Sequence, residues 1–264
     1  MMNQNWLCEC ALEAGDAPFA IHRLEGVRQC VTSETRTYLE ATTLLAIAYV
    51  REGMIEKAKP LITFVLGNSK NITSERRRQQ FHKRFVLRIE EEGILAFFRE
   101  EHGVDLDPDR VQKEAIKLLS VDEVGLLHQL ARCLDGNVIR LLADLREHSR
   151  KALPLEERKL LPGPAQSTSI SSAGERIRQA LRRVTWRALC DPNDEINQAW
   201  TKGLSVVYDK KWITSAVIAA CKSWQITATM IVTTLVAFAF KVGANAFCEA
   251  FAPQGIMISL NEKD

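Results

Sequence analysis

The sequence predicts a mainly α protein, in which a helical bundle or short helical-repeat-like N-terminal domain precedes an apolar C-terminal helix or helical hairpin. Three observations carry this prediction. Almost every segment with a clear hydrophobic period repeats at helical spacing. Helix-capping and helix-breaking residues separate these segments into pieces of ordinary helix length. Alternating apolar residues are scarce, and only residues 204–208 suit a short strand.

Composition places the chain among ordinary globular proteins. Of its 264 residues, 26% are charged and 46% are apolar, which is enough for a substantial core. The net charge of +2 gives no general attraction to nucleic acid, so we do not expect nucleic acid as a partner. Glu9 and Glu13 interrupt the N-terminal stretch, which therefore does not resemble a secretory signal peptide.

The cysteines indicate a reducing compartment. They number seven, are scattered, and are never spaced as CxxC, so we expect free thiols and no disulfide framework. Cys8, Cys10, His22 and Cys30 lack the spacing of a structural zinc site. We expect neither a metal nor a cofactor, and we place the chain in the cytoplasm.

The helices of the N-terminal half are predicted in order from their periodicity and their ends. Residues 37–50 and 55–66 each carry apolar residues at helical spacing, and a glycine ends the second helix. Thr73 or Ser74 caps a long polar helix that runs to about Glu101.

Further breaks divide the rest of this half. The Asp-Pro pair at 107–108 starts another helix, because proline is tolerated at the first helical position. Residues 120–123 have the pattern of a capping box, and the Asp-Gly pair at 135–136 ends the helix that follows it.

A change of composition predicts the domain boundary. Residues 153–174 hold three prolines and a serine- and threonine-rich run, which is typical of a linker that a protease can reach. We therefore expect a partner-binding helical domain at 1–152 and a C-terminal part at 175–264. The latter begins with a basic amphipathic helix from Glu175 to Cys190, and an Asp-Pro pair at 191–192 caps the next helix.

Residues 45–66 carry a pattern of small and large side chains at fixed positions. The residues are Leu45, Ala46, Tyr49, Gly53, Ala58 and Ile62. Over about residues 37–70 this pattern resembles one tetratricopeptide repeat, whose small residues allow two antiparallel helices to approach closely. The resemblance implies binding of a protein partner, and we expect the contacts at Tyr49, Arg51 and Glu52. No second copy lies 34 residues away, and the same residues also fit a hairpin inside a larger bundle.

An uncharged run from Ser223 to Phe240 is the most apolar part of the chain. As a single helix its 18 residues would be about 27 Å long, close to the hydrocarbon thickness of a bilayer. Lys222 and Lys241 flank it, as residues that reach the two membrane interfaces would. We expect residues 203–258 to insert into a membrane or to self-associate, with the N-terminal domain in the cytosol. The alternatives are a helix buried in a soluble bundle and a helix in a subunit interface.

Polar and small residues within this run indicate helix association. Those expected to mediate membrane insertion or self-association are Lys222, Trp224, Gln225, Thr229, Thr233, Ala239 and Gly243. Four of them share one helical face at a spacing of three or four residues, and the last two form a small-xxx-small pair. Trp224 suits an interfacial aromatic belt.

One spacing suggests catalysis. Arg77 and His82 have the Rx4H spacing and are similar to the paired residues of the HEPN ribonuclease family, in which the arginine stabilises the scissile phosphate and the histidine acts as acid or base. Arg78 departs from that family, which has a small polar residue there.

The prediction as a whole is a non-enzymatic, membrane-associated adaptor or effector. Its N-terminal domain binds a protein partner, and its C-terminal helices insert into a membrane or self-associate. A soluble helical scaffold is the first alternative, and a ribonuclease that uses Arg77 and His82 is the second.

Overall fold

A computed structural model describes residues 2–69, 72–100, 106–134, 136–159, 170–201, 210–250 and 255–256. These ranges contain helices and turns and no strand, which confirms the mainly α class. The helices are α1 (Met2–Glu13), α2 (Ala17–Cys30), α3 (Arg36–Arg51), α4 (Ile55–Gly67), α5 (Glu75–Glu100), α6 (Pro108–Lys117), α7 (Glu123–Ala131), α8 (Gly136–Ala152), α9 (Leu155–Arg158), α10 (Ile170–Cys190), α11 (Glu195–Thr201), α12 (Lys210–Ser223), α13 (Thr229–Val242) and α14 (Ala244–Ala250). The strand expected at 204–208 lies outside the described residues.

Short polar side chains begin several helices by accepting a hydrogen bond from the first turn. The Asp107 carboxylate accepts from the backbone N–H of Asp109 at 3.0 Å and starts α6, as expected. The helix α7 is capped by Asp122 at 2.8 Å from the N–H of Gly125, two residues after the predicted cap. Such shifts arise because several neighbouring residues can cap, and packing selects one of them.

The chain forms two compact units that are not contiguous in sequence. Unit 1 consists of residues 1–96, 137–163 and 254–264, and unit 2 of residues 97–136 and 164–253. The domains predicted from composition, 1–152 and 175–264, are contiguous and stay a prediction. Contacts between distant segments decide the division, and a change in composition does not report them.

Only part of the predicted linker can be compared with the structure. Residues 155–158 form the short helix α9, and residues from Ile170 onward already belong to α10. Residues 160–169, which include two of the three prolines, lie outside the described part of the chain.

Unit 1 is built on a sequential stack of α1 to α4. Short connections turn each helix back along its predecessor, and α2 packs on both α1 and α3 while α4 packs on α3. The helix α1 also reaches α3. Ile256, near the end of the chain, is buried in the same hydrophobic core.

Unit 2 surrounds its apolar helices with neighbours. The helix α12 packs against α6, α10, α11 and α13, and α13 packs against α6, α7, α12 and α14. A helix that is apolar nearly all round requires such neighbours, because each exposed apolar face would otherwise meet water. Nine consecutive residues of α13, from Ile231 to Ala239, are buried.

The uncharged run at 223–240 is not one helix, which corrects the expectation of a transmembrane helix there. The helix α12 ends at Ser223, and α13 begins at Thr229. Gln225 has a positive φ of 60°. The N–H of Ile226 donates to the carbonyl of Cys221 at 2.8 Å, and the N–H of Gln225 donates to the carbonyl of Lys222 at 2.9 Å. These two bonds form a Schellman motif, which ends a helix by satisfying its last carbonyl groups.

The break divides the apolar run into two shorter helices. Among the helices that the structure describes, none is long and apolar enough to cross a bilayer. The polar stripe predicted along the run is also interrupted, since Lys222 lies on α12 and Thr229 and Thr233 lie on α13.

Candidate functional site

The hairpin of α3 and α4 has the close packing that its small residues predict. Ala46 and Ala58 are fully buried, as are the larger Leu45 and Ile62. Gly53, in the turn between the helices, has a φ of 69°, a backbone conformation that favours glycine. The structure thus places the residues that resemble a tetratricopeptide repeat inside a tight helical hairpin.

The three residues expected to contact a partner are mostly used inside unit 1. Arg51 is 1% exposed and Tyr49 is 8% exposed, while Glu52, in the turn, is partly exposed. The Tyr49 hydroxyl donates a hydrogen bond of 2.5 Å to Glu25. Burial, with this hydrogen bond and the charge of Glu25, raises the pKa of Tyr49 to about 12.

Arg51 belongs to a buried charge network in unit 1. Its guanidinium donates two parallel hydrogen bonds of 2.6 Å to the Glu92 carboxylate and a third bond to the Leu12 carbonyl. Arg88 donates to Glu92 at 2.6 Å and to Glu13 at 2.7 Å. Two arginines and two glutamates therefore balance in charge, and the bidentate geometry is the strongest that such groups form.

Most of this charge network lies in the interior of unit 1. Glu92 is fully buried and Arg88 is 3% exposed. Burial disfavours the charged form of Arg88, but the neighbouring carboxylates of Glu13 and Glu92 more than offset it and raise the pKa of its guanidinium. The charges connect α1, α3 and α5.

Arg77 and His82 both lie on α5, but their environments differ. His82 is 3% exposed, and its Nε2 forms a hydrogen bond of 2.8 Å with the Ser69 hydroxyl. Arg77 is partly exposed near the start of the helix. The ribonuclease hypothesis for Arg77 and His82 stays a prediction, and the burial of His82 does not favour it.

The outer face of α1 is unusual for a helix surface. This face consists of Asn3, Trp6, Leu7, Cys10 and Ala14, which are all exposed and all uncharged. Trp6 is 43% exposed and Leu7 is 47% exposed. The sequence could have predicted this face, because its residues recur at three- and four-residue spacing on the side of α1 opposite the buried Cys8 and Leu12.

Unit 2 contains a small pocket between α10, α13 and α14. Its lining consists of Glu175, Arg178, Gln179, Arg182, Leu235, Phe238, Val242 and Phe247. Arg178 forms two hydrogen bonds of 2.8 Å with Glu175, and its guanidinium lies 5.9 Å from the centre of the Phe238 ring. The pocket thus combines apolar side chains of α13 and α14 with polar side chains of α10, among which Glu175 is paired with Arg178.

A disulfide between Cys190 and Cys248 joins α10 to α14 beside this pocket. The disulfide corrects the expectation that all seven cysteines are free. The other five, Cys8, Cys10, Cys30, Cys133 and Cys221, are free thiols. The two bonded residues are 58 positions apart, so their spacing gave no signal. Only the packing of α14 against α10 brings their Cα atoms to 5.4 Å.

The residues expected at a membrane or self-association surface are dispersed in unit 2. Trp224, Thr233 and Ala239 are buried, whereas Lys222 and Gln225 are exposed, and Thr229 and Gly243 are partly exposed. Gly243 has a φ of 77° and forms the turn between α13 and α14, which is a different role from close helix contact.

These features define a class of protein: a mainly α chain with an ion-paired helical stack in one unit and a cross-linked apolar helical unit in the other. Within the part of the chain that the structure describes, no three side chains suited to a metal ion gather in one place. The chain matches no protein-family model, and no curated protein or solved structure matches it.

Proposed function

We propose that the protein is a non-enzymatic adaptor that binds a protein partner through the outer face of α1. The observation that carries the proposal is the uncharged character of this face, in a chain in which 26% of residues are charged. The cores of protein interfaces are depleted in charged residues and enriched in tryptophan, whose truncation often removes much of the binding energy.

The stack of helices beneath supports this role. The helices α1 to α4 pack in order, each on the preceding one, which is how helical repeat proteins present an extended surface. In this stack α1 is the first helix, and its buried side is anchored by Cys8 and Leu12. Trp6 and Leu7 are therefore held on a rigid support, which lowers the entropy lost when a partner binds.

The chemistry of the face specifies the partner. Trp6 and Leu7 offer apolar contact, while Asn3 and Cys10 offer no charge for an ion pair. A matching surface is an apolar stripe on a helix of another protein, laid along α1 so that its side chains fit between Trp6 and Leu7.

The proposal concerns α1 and not the apolar helices of unit 2. The apolar side chains of α12 and α13 mostly pack inside that unit, which favours the scaffold alternative over a membrane-spanning adaptor. The ribonuclease alternative is not carried forward because His82 is buried against Ser69.

A double variant, Trp6→Ser with Leu7→Ser, tests the proposal against a matched control. The control is Ile139→Ser on α8, which removes an apolar side chain that is also 47% exposed and also belongs to unit 1. The wild type, the double variant and the control are each used to capture proteins from cells, and a captured protein is then purified and titrated against all three.

The expected result is a protein that the wild type and the control retain and the double variant loses, with a loss of affinity of about tenfold or more in the titration. Two outcomes overturn the proposal. One is equal binding by all three chains. The other is that the double variant loses only contacts between copies of this chain, measured by sedimentation, since the face would then be a self-association surface.

A further inference from the structure

The helix α14 packs against α10 and α13, and a disulfide joins it to α10. It has seven residues, and helices of that length are not stable in isolation. The Trp186 indole N–H donates to the Cys248 carbonyl at 3.3 Å, and the Phe247 ring is buried, at 5% exposed. The Cys190–Cys248 bond adds a covalent connection to α10.

The backbone turns at a glycine just before α14. Gly243 joins α13 to α14 in a backbone conformation that glycine adopts without strain. A Cβ atom placed at Gly243 would meet nothing within 4 Å. A change of backbone angles at this glycine would change the direction of α14 relative to α13.

Phe247 links the position of α14 to the pocket of unit 2, because it lines that pocket. Its ring forms the wall that α14 contributes, facing the side chains of Leu235 and Phe238 on α13. Arg178 and Arg182 line the pocket from α10, where Glu175 is paired with Arg178. Removal of Phe247 would open an apolar floor with guanidinium groups at its edge, which suits a molecule with an apolar body and one anionic group.

The disulfide itself is within reach of a reductant. Cys190 and Cys248 are both partly exposed, unlike Cys8 and Cys221, which are buried.

We propose that the Cys190–Cys248 disulfide is a redox-controlled closure of the unit 2 pocket, and that its reduction opens the pocket to an amphipathic anion. The reductant is a dithiol. One thiolate of the dithiol attacks a sulfur of the protein disulfide and forms a mixed disulfide, and the released protein thiolate takes up a proton. The second thiolate of the dithiol then displaces the other protein sulfur, so that two electrons and two protons pass to Cys190 and Cys248 while the dithiol becomes a cyclic disulfide.

The test uses 1-anilinonaphthalene-8-sulfonate, an apolar anion that fluoresces when it leaves water. Its binding to the full chain is titrated with and without dithiothreitol, while alkylation and peptide mass analysis report the state of each cysteine. Circular dichroism is recorded in parallel. We expect about tenfold tighter binding to the reduced chain, with the helical signal unchanged.

Three variants locate the effect. Cys248→Ser is expected to bind the probe as the reduced wild type does, whether or not dithiothreitol is present. Phe247→Ala is expected to bind it without reduction, since the wall is missing. Cys133→Ser, which alters a partly exposed free cysteine, is expected to keep the dependence on dithiothreitol.

The arginines are tested separately. Arg182→Gln is expected to weaken binding of the probe to the reduced chain, whereas Arg187→Gln, on the same helix but absent from the pocket lining, is expected to leave it unchanged. The proposal is overturned if Cys190 and Cys248 are alkylated without reductant, if probe binding is equal in the two redox states, or if tighter binding accompanies a loss of helical signal.

Discussion

The two units stabilise their interiors by different means. Unit 1 buries an ion network, in which Glu92 accepts from both Arg51 and Arg88. Unit 2 buries two apolar helices and adds a covalent bond from α10 to α14. A buried ion network is intolerant of losing one member, because the remaining charge has no water to solvate it. A cross-linked apolar unit loses stability in a graded way, because apolar contacts are many and individually weak.

The sharpest way to test this difference is to remove the centre of the charge network. Glu92→Gln keeps the shape of the side chain and leaves Arg51 and Arg88 buried without their shared carboxylate. We expect the free energy of unfolding to fall by about 3–5 kcal/mol, measured by urea denaturation. Glu156→Gln is the control, since Glu156 is 85% exposed in its pair with Lys159 and should cost less than about 1 kcal/mol. A similar small loss in both variants would show that the network contributes little.

The matching experiment in unit 2 removes the disulfide. Cys190→Ser with Cys248→Ser opens a loop whose ends are 58 residues apart, so the unfolded chain gains conformational freedom. We expect a loss of about 2–4 kcal/mol in unfolding free energy without reductant and a smaller difference from the wild type in dithiothreitol. Cys133→Ser serves as the control. The expectation fails if the double variant and the wild type unfold at the same urea concentration under oxidising conditions.

A third comparison concerns two turns with positive φ, one in each unit. Gln225 in unit 2 adopts a φ of 60°, and Gly53 in unit 1 adopts 69°. Gln225→Gly should therefore stabilise the protein by about 1 kcal/mol, and Gly53→Ala should destabilise it by at least that amount. Thermal unfolding of the two variants beside the wild type measures both. Shifts of the same sign would contradict the assigned backbone conformations.

The smallest expected effect is the response to high pH. Burial and the bond to Glu25 raise the folded-state pKa of Tyr49 to about 12, above the unfolded value of 10.0. Its contribution is therefore complete below pH 10 and is lost as the pH rises toward 12. Tyr49→Phe should cost about 1 kcal/mol at neutral pH and should make stability less sensitive between pH 10 and 12.

The Cys221 thiol in unit 2 provides a second group whose contribution to stability is lost at high pH. Burial raises the pKa of the Cys221 thiol to about 12, so its contribution is also lost as the pH rises from 9 toward 12. Denaturation curves for Tyr49→Phe and Cys221→Ala across this range separate the two contributions. If neither substitution changes the alkaline loss of stability, it originates in other groups.

The predicted helices of the N-terminal half correspond well to the structure because their signals are local. Residues 37–50 and 55–66 lie within α3 and α4, and the glycine between them occupies the expected turn. Hydrophobic period and capping chemistry act over a few residues, so a single sequence is sufficient to read them. The prediction of one helix over residues 223–240 was wrong because Gln225 adopts a positive φ just after the end of α12. Glutamine is a good helix former, so helix propensity gave no reason to expect a helix end there.

The candidate sites show the same limit. The outer face of α1 could have been found from the spacing of Trp6, Leu7 and Cys10, since it depends on one helix alone. The pocket and the Cys190–Cys248 bond could not, because they join residues from α10, α13 and α14. The burial of His82 also could not be read from its spacing to Arg77, because burial depends on what packs against a helix.

By itself, the sequence determined the mainly α class, the positions of helices such as α3 and α4, and the apolar character of the run at 223–240, because each follows from residues close in the chain. The tertiary structure alone decided which charges pair in unit 1, which cysteines join in unit 2, and that α12 and α13 pack as two helices. Those outcomes depend on contacts between residues far apart in sequence, where packing and electrostatic pairing choose among partners that local patterns leave equivalent.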